Sequence, residues 1–179
     1  MEIRLAKISD IEAINAIYAS ARKFMVQNGN PNQWKNGYPT ENAILGDIME
    51  KKLYLCEENG MPLAVFYYSE GPDPTYAVIE DGAWLNTRPY GVIHRIAVSD
   101  LARGRGISRI CFDFALQRCG NLKIDTHRDN LPMQAALEKY GFLRCGTIHL
   151  LNGEERIAFQ ISADGYSLPI NVSPADKNI

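Results

Sequence analysis

Two hydrophobic periods alternate along this chain, one typical of strands and one typical of helices. Residues 2–6 alternate between apolar and polar side chains, which predicts a short strand. Apolar residues then recur at intervals of three and four, which predicts a helix over about residues 10–28. Residues 28–40 are rich in Asn, Gly and Pro, so they are predicted to form a loop. Thr40 has the hydroxyl of a helix N-cap, and a second helix should follow it and end near Lys52.

The middle of the chain is predicted to form strands. Residues 53–68 contain two apolar runs around Glu-Asn-Gly, a pattern typical of a β-hairpin. Residues 75–85 read as a further strand that turns at Asp81-Gly82. Residues 91–98, Gly-Val-Ile-His-Arg-Ile-Ala-Val, are predicted to form the strand after it.

The second half of the chain alternates helices and strands. A stripe of apolar residues predicts a helix that begins close to Gly106, and residues 121–127 read as a strand. Residues 129–142 predict a short helix that Asp129 or Asn130 caps, with a proline in its first turn and a glycine at its end.

A final hairpin completes the predicted fold. Residues 142–150 and residues 155–162 are apolar runs on either side of a polar turn. The order of elements predicts an α/β (α+β) fold, with a mixed, mostly antiparallel central sheet of about seven strands flanked by about four helices. We expect residues 1–161 to form one domain and residues 162–179, which are polar and aperiodic, to form a C-terminal tail.

Composition excludes several classes of partner. The chain has 179 residues, of which 46% are apolar and 22% charged, as in soluble globular proteins. Its net charge of −2 predicts no nucleic-acid partner, because nucleic-acid binding usually needs a basic face. No apolar run approaches the roughly 18–20 residues of a membrane span, which predicts no membrane partner. The four cysteines have no metal-binding spacing, which predicts no metal and favours reduced thiols in a cytoplasmic protein.

A glycine- and arginine-rich junction carries the candidate chemistry. The segment Leu-Ala-Arg-Gly-Arg-Gly-Ile-Ser, residues 101–108, joins a predicted strand to a predicted helix. Backbone N–H groups and the dipole at such a helix N-terminus bind phosphate. Gly104 and Gly106 allow a close approach of the backbone, and Arg103 and Arg105 add formal charge. The segment matches neither the dinucleotide-binding nor the P-loop motif, so an ordinary turn with solvated arginines remains the alternative.

A longer pattern resembles a known family. Residues 94–116 and residues 124–142 together resemble the GNAT superfamily of acetyl-CoA-dependent N-acetyltransferases, clearly over residues 91–148 and by strand order over residues 1–161. The family's pyrophosphate motif, Gln/Arg-x-x-Gly-x-Gly/Ala, and its downstream Asn and Gly-Phe match Arg103, Gly106, Ser108, Asn130 and Gly141-Phe142.

The resemblance implies where acetyl-CoA binds. In the family, the strand before the loop splays away from its neighbour, and its free edge pairs with the pantetheine arm. The backbone N–H of Val98 would then face the thioester carbonyl and stabilise the oxyanion that forms there. The loop and the resemblance together assign these residues to the cofactor: Ile96, Ala97, Val98, Arg103, Gly104, Arg105, Gly106, Ile107, Ser108 and Asn130.

The chain departs from the family pattern at two positions. Ser108 stands where the family has Gly or Ala, and serine is still small. Leu137 stands where the family often has a tyrosine that acts as general acid for the departing thiolate. Tyr140 lies nearby, but its helical spacing predicts a core residue.

Four side chains are candidates for the base that deprotonates an amine: Glu80, His94, Asp125 and His127. A histidine titrates near neutrality and needs little tuning for this role. Strand alternation predicts that His94 lies on the same face as Ile96 and Val98. For each candidate, a hydrogen-bonded structural role is the alternative.

Trp34 and Tyr38 lie in the predicted loop of residues 28–40. Large aromatic residues in a long loop suggest either an acceptor-binding role or a lid packed on the core. Both interpretations remain open.

These observations predict an enzyme, an N-acetyltransferase that moves an acetyl group from acetyl-CoA to a primary amine by direct attack in a ternary complex. The acceptor is a small-molecule or peptide amine that the sequence does not identify. A non-catalytic acyl-CoA-binding or sensor module is the alternative, since the usual general acid is missing. A third interpretation is an interaction domain whose glycine-rich junction binds no cofactor. A homodimer is the default expectation for the assembly.

Overall fold

A seven-stranded sheet runs through the computed structural model of the protein, which describes residues 1–163. The strand order is β1-β2-β3-β4-β5-β7-β6, and β4 and β5 are parallel while the five other pairings are antiparallel. The predicted fold class is therefore confirmed. The strands are β1 (Glu2–Leu5), β2 (Leu53–Glu58), β3 (Met61–Glu70), β4 (Gly91–Val98), β5 (Asn121–Thr126), β6 (Leu143–His149) and β7 (Glu155–Ser162).

Four α-helices cover the two faces of this sheet. Two of their predicted N-caps are confirmed: Thr40 Oγ1 accepts a hydrogen bond from the Ala43 N–H at 3.3 Å, and Asn130 Oδ1 accepts one from the Met133 N–H at 3.3 Å. None of the helices in residues 1–163 has the length and apolar character that crossing a bilayer requires. The helices are α1 (Ile11–Gln27), α2 (Glu41–Met49), α3 (Ile107–Cys119) and α4 (Leu131–Tyr140).

Alternating side chains of the central strands build a core on each face of the sheet. Val65 of β3 packs with Ile14 and Tyr18 of α1, whereas the next residue, Phe66, belongs to the cluster that includes Phe112 of α3. All five side chains are almost completely buried. Burial of each such side chain stabilises the fold by about 1.5–3 kcal/mol. The two cores therefore hold the sheet between the helices on its two faces.

The strand predicted over residues 75–85 does not form, and this prediction was wrong. Glu80 exchanges two backbone hydrogen bonds with Thr147 of β6, but this bridge stays isolated. The predicted turn explains why: Asp81 has φ +55°, and a Cβ on Gly82 would lie 2.0 Å from the Cys145 carbonyl oxygen. The segment therefore crosses close to the edge of the sheet instead of running along it.

A bulge interrupts β4 at Arg95. His94 lies opposite Tyr67 of β3 and Ala97 lies opposite Val65, so β4 advances three residues while β3 advances two. The extra residue, Arg95, has φ +50°, in the left-handed region. Such bulges change which face the following side chains occupy.

Because of the bulge, His94 does not share a face with Ile96 and Val98, and that prediction was wrong. The His94 ring contacts the rings of Tyr67 and Tyr76 on one side of the sheet. Ile96 and Val98 pack against the α3 cluster on the other side. Simple alternation fails here because it does not count an inserted residue.

The parallel ladder between β4 and β5 is short. Its last pair is Ile93 with Ile124, yet β4 continues to Val98 and β5 to Thr126. The two strands diverge after this pair and leave the β5-facing edge of β4 open. The predicted C-terminal tail falls mainly on residues 164–179, which lie outside the described residues.

Lys123 of β5 is buried between two aromatic rings. Its Nζ lies 4.0 Å from the Trp84 ring centroid and 3.9 Å from the Tyr90 ring centroid. Burial lowers the pKa of this ammonium group from an ordinary value of 10.5 to about 8. The folded chain therefore releases the proton at a lower pH than the unfolded chain does, so this group makes stability rise with pH between about 8 and about 10.5.

The variant Lys123→Met, which lacks this titrating group, tests the effect. Relative to the variant, the unsubstituted protein should gain about 2 kcal/mol in free energy of unfolding between about pH 7 and about pH 9.5. Urea unfolding of both proteins at the two pH values measures the gain. A difference between the two proteins that does not change with pH would contradict it.

Candidate active site

The divergence of β4 and β5 opens a cavity of about 1280 Å³. Residues 93–98 of β4 form one wall, and Asn130 and Met133 at the start of α4 form another. The loop of residues 32–36 and the β6–β7 turn, residues 150–154, line its far end. The cavity therefore reaches both the glycine-rich junction and the loop of residues 28–40, named the acceptor loop after one of its two predicted roles.

The glycine-rich junction has the geometry of an anion-binding site. Gly104 has φ +78° and Gly106 has φ +76°, and no atom would touch a Cβ on either residue. Glycine is therefore favoured here by its backbone angle, which costs other residues about 1–2 kcal/mol. Within the described residues no side chain caps α3, so the N–H groups of its first turn, including those of Ile107 and Ser108, are available to a phosphate.

The two arginines of the junction have different surroundings. Arg103 lines the cavity, donates a hydrogen bond to Ser20 Oγ at 2.8 Å and lies over the Phe24 ring at 4.4 Å. Arg105 instead forms an ion pair with Glu58 at 2.7 Å and does not line the cavity. Only the first arginine therefore contributes its charge to the cavity.

The backbone of β4 directs an N–H group into the opening. The Ser99 N–H donates a hydrogen bond to the Leu63 carbonyl of the β3 side at 2.8 Å. Successive N–H groups in a strand point to opposite edges, so that of Val98 points away from β3, toward the edge that β5 has left. A donor at this position can stabilise negative charge on a ligand in the cavity.

Asn130 joins the acceptor loop to α4. While its Oδ1 caps the helix, its Nδ2 donates a hydrogen bond to Gln33 Oε1 at 2.9 Å, and Asn30 Nδ2 donates to the same oxygen at 2.8 Å. Gln33 was not singled out in the sequence, because its contact with Asn130 joins segments 97 residues apart. The loop is thus held beside the start of the helix.

His94 lies between two carboxylates in the cavity. Its Nε2 is 2.8 Å from Asp73 Oδ2, whereas its Nδ1 is 3.6 Å from Asp125 Oδ1, beyond hydrogen-bond length. In the neutral imidazole this network places the proton on Nε2 and leaves the lone pair on Nδ1. The arrangement holds a base of defined orientation. Asp73 was missed in the sequence, since it lies in a Pro-rich loop far from its partner.

Both carboxylates are held by other side chains. Burial raises the pKa of Asp73, but hydrogen bonds from His94 and Thr75 outweigh burial and lower the pKa to about 2. Tyr76 donates a hydrogen bond to Asp125 Oδ1 at 2.7 Å. Burial, reinforced by this carboxylate, raises the pKa of Tyr76 well above its usual range. The tyrosine therefore stays protonated and remains a donor.

His127 and Glu80 lie away from the lining of the cavity. The His127 Nδ1 accepts a hydrogen bond from the Asp129 N–H at 3.1 Å, and burial lowers the pKa of its imidazole. Glu80 Oε2 lies 3.2 Å from His149 Nε2 on the exposed surface. The structure does not bring these two candidates together with His94. No cluster of side chains suited to a metal ion occurs within residues 1–163.

The two aromatic residues of the acceptor loop both line the cavity. Trp34 packs edge-on against Tyr18 of α1, with ring centroids 5.6 Å apart, so it is also part of the core. Tyr38 is more exposed, and its hydroxyl accepts a hydrogen bond from Arg95 at 3.2 Å. The loop therefore combines a packing role with a position at the ligand cavity.

The position of the family's general acid is filled by a core residue. Leu137 is fully buried. Tyr140 belongs to the same cluster, as its spacing predicted, and its hydroxyl donates a hydrogen bond to Asp113 Oδ1 at 2.7 Å. It also lines the cavity.

Comparison with known proteins agrees with this geometry. The model of the acetyltransferase (GNAT) family matches residues 16–142. A crystal structure of a GNAT-family acetyltransferase from Streptococcus agalactiae 2603 is 32% identical, covers 90% of this chain and 94% of its own, and superposes with a TM-score of 0.82. The chain belongs to the GNAT acetyltransferase family. Membership implies that this acetyltransferase takes its acetyl group from an acyl-CoA.

More distant structures share the fold of this acetyltransferase. A GNAT-family acetyltransferase from Listeria monocytogenes 4b F2365 is 21% identical, with a TM-score of 0.67 over 90% of this chain and 94% of its own. A ribosomal-protein-alanine N-acetyltransferase from Brucella melitensis is 18% identical, with a TM-score of 0.59 over 90% and 99%. The search of curated proteins finds no match.

The different surroundings of the two arginines predict different effects on CoA binding. Arg103→Ala should raise the Kd for CoA at least about tenfold, because it removes a charge that lines the cavity. Arg105→Ala is the matched control and should change the Kd less than about threefold, since that side chain pairs with Glu58 outside the cavity. Calorimetry with CoA measures both values. Equal losses in the two variants would contradict this assignment.

Proposed function

We propose that this acetyltransferase moves the acetyl group of acetyl-CoA to a primary amine by direct attack in a ternary complex. The observation that carries the proposal is that one cavity is lined by two groups with complementary roles. They are an N–H donor on the open edge of β4 and the imidazole of His94, which Asp73 orients. After the base has taken the ammonium proton, the neutral nitrogen forms a bond to the thioester carbon, the carbon–sulfur bond breaks, and the thiolate leaves with the electron pair. The nitrogen gives up a second proton to solvent as the amide forms. No covalent enzyme intermediate is needed.

The cofactor would lie along β4 and the glycine-rich junction. The diphosphate fits residues 103–108, the end of the glycine-rich junction and the start of α3, where first-turn N–H groups are available and Arg103 adds charge. The pantetheine arm fits the open edge at residues 96–98, with Asn130 on the opposite wall. Acetyl-CoA supplies an activated acyl group, and the Val98 N–H would stabilise the negative charge that develops on its carbonyl oxygen. A donor of this kind can contribute about 10²–10³ in rate.

His94 is the side chain that we assign as general base. An alkyl amine with a pKa of about 10.4 is protonated in all but roughly one molecule in a few thousand at neutral pH, so removal of this proton is a major part of the barrier. Asp73 accepts a hydrogen bond from the Nε2–H of His94. The Nδ1 lone pair can then accept the proton of the ammonium group, either directly or through a water chain.

The absence of the family's tyrosine is compatible with catalysis. A thiol with a pKa of about 8.5 is a tolerable leaving group near neutrality, so an acid assists its departure without being essential. We infer that solvent protonates the thiolate, because Leu137 has no proton to donate and the Tyr140 hydroxyl donates its hydrogen bond to Asp113.

The rival function, an acyl-CoA-binding or sensor module, differs in one measurable way. An acetyltransferase releases free CoA thiol from acetyl-CoA only when a suitable amine is present, and a sensor binds acetyl-CoA with no amine-dependent release. Thiol release measured across a panel of amines, together with calorimetric CoA binding, therefore separates the two functions. CoA binding without thiol release for any amine would refute the proposal.

The role of His94 predicts a large and specific loss of activity. His94→Gln should lower kcat/KM for the amine about 10²-fold or more, because a general base contributes about 10²–10⁴ in rate. The Kd for CoA should stay unchanged, because the side chain does not contact the glycine-rich junction. Initial rates with the amine and calorimetry with CoA measure the two effects.

His127→Gln is the matched comparison and should change kcat/KM less than about threefold, since its Nδ1 is occupied by the Asp129 N–H. A larger loss in His127→Gln than in His94→Gln would transfer the role of the base to His127.

A further inference from the structure

The acceptor loop contacts both helix layers at the cavity. Trp34 packs on Tyr18 of α1, with ring centroids 5.6 Å apart. The preceding residue, Gln33, is hydrogen-bonded to Asn130 at the start of α4. Because α1 packs on one face of the sheet and α4 on the other, residues 33 and 34 bridge the two layers where the cavity opens.

The direction of the hydrogen bond between Gln33 and Asn130 follows from the helix backbone. The Met133 N–H can only donate, so the Asn130 atom that accepts from it at 3.3 Å must be the amide oxygen. Asn130 Nδ2 is then the donor in the 2.9 Å contact with Gln33, and Gln33 must present its Oε1. The start of α4 therefore fixes the orientation of both amides.

Asn30 depends on the same oxygen of Gln33. Its Nδ2 donates to Gln33 Oε1 at 2.8 Å, and the residue is only 2% exposed. Within the described residues, the Asn30 Oδ1 has no hydrogen-bond partner. Loss of the Gln33 oxygen would leave this buried amide with no partner at either end, which is unfavourable. The start of the loop would then rearrange to bring the amide to water.

Few other contacts hold the middle of the loop. Residues 31–37 form turns and bends without regular secondary structure. Within residues 1–163, the bond from Asn130 is the one side-chain hydrogen bond that joins residues 31–37 to another element of the fold. Their position across the cavity therefore depends on Gln33 as well as on the packing of Trp34.

We propose that Gln33 is a positioning residue for the acceptor amine, because it fixes the acceptor loop to the cofactor side of the cavity through Asn130. Trp34 and Lys35, which line the cavity, are thereby held where the amine binds. Asn130 keeps its place without Gln33, since its cap bond to Met133 remains. CoA binding should therefore not depend on Gln33. This inference rests on the proposed acetyl transfer to an amine.

Hydrogen exchange tests the anchoring of the loop without any substrate. In Gln33→Ala, the backbone N–H groups of the loop should exchange about tenfold faster than in the unsubstituted protein. Gln33→Glu, whose carboxylate accepts the same two hydrogen bonds, should exchange at the unsubstituted rate. Mass spectrometry of peptides that cover residues 28–40 measures the rates. Equal exchange in Gln33→Ala and in the unsubstituted protein would overturn the proposal.

Gln27→Ala is the matched control for the loss of a glutamine side chain. Gln27 is exposed at the end of α1, directly before the loop, and does not line the cavity. Its variant should exchange at the unsubstituted rate. Loop exchange as fast in Gln27→Ala as in Gln33→Ala would refute the assignment to Gln33.

Steady-state kinetics test the role in acceptor binding. With saturating acetyl-CoA and the amine of the panel that gives the fastest thiol release, Gln33→Ala should raise KM for the amine about tenfold. Both kcat and the Kd for CoA should stay nearly unchanged, and Gln33→Glu should restore KM. A purely structural defect would instead lower the fraction of active enzyme, which reduces kcat and leaves KM unchanged. An unchanged KM in Gln33→Ala would refute the positioning role.

Asn130→Ser tests whether Gln33 acts through Asn130. The serine hydroxyl can still cap α4, but it replaces the amide that donates to Gln33. KM for the amine should rise as it does in Gln33→Ala, and the double variant should show no further rise. Effects of the two substitutions that multiply would contradict a shared contact.

Failure of this inference and failure of the proposed function give different results. If no amine of the panel is acetylated, the proposed function fails, and the exchange rates of residues 28–40 still decide whether Gln33 anchors the loop. If amines are acetylated with an unchanged KM in Gln33→Ala, the positioning role fails and acetyl transfer stands.

Discussion

The departure of β5 from β4 after Ile93 is the constraint on which the active site depends. Up to this residue β4 is hydrogen-bonded on both edges, and beyond it only the β3 edge stays paired. An open strand edge offers backbone groups to an extended ligand, as in β-strand addition. Because α3 begins soon after β4 ends, its anion-binding N-terminus lies next to this edge. One long ligand with a phosphate group and an amide-containing arm matches both features.

The bulge at Arg95 separates the proposed positions of the two substrates. A non-glycine residue at φ +50° costs about 1–3 kcal/mol. The side chain offsets this cost, since its guanidinium pairs with Asp47 at 2.6 Å and lies 4.8 Å from the Tyr67 ring centroid. A charged hydrogen bond of this kind contributes about 1.5–3 kcal/mol. The bulge turns His94 to one side of the sheet and Ile96 to the other, so the proposed base and the proposed cofactor-binding edge meet the cavity from different directions.

The parts of the site that sequence reasoning predicted are those that depend on neighbours in the chain. Asn130 caps the helix that begins at the next residue, and Gly106 directly precedes α3, so both are visible as local patterns. The strand over residues 75–85 was predicted wrongly, because its apolar residues belong to a loop: Tyr76 and Trp84 pack on one face of the sheet, against β4 and β5, without pairing along a strand. The face of His94 depends on a bulge against another strand, and its contact with Asp73 joins two distant segments. Neither feature has a local signal.

The crystal structure of the complex with CoA tests the central claim most directly. The account predicts that the pantetheine arm pairs with the backbone of residues 96–98 and that the diphosphate lies on the N–H groups of residues 103–108. The sulfur end should then reach the cavity that His94 lines. A CoA molecule bound elsewhere, with the opening between β4 and β5 filled by protein side chains, would contradict it.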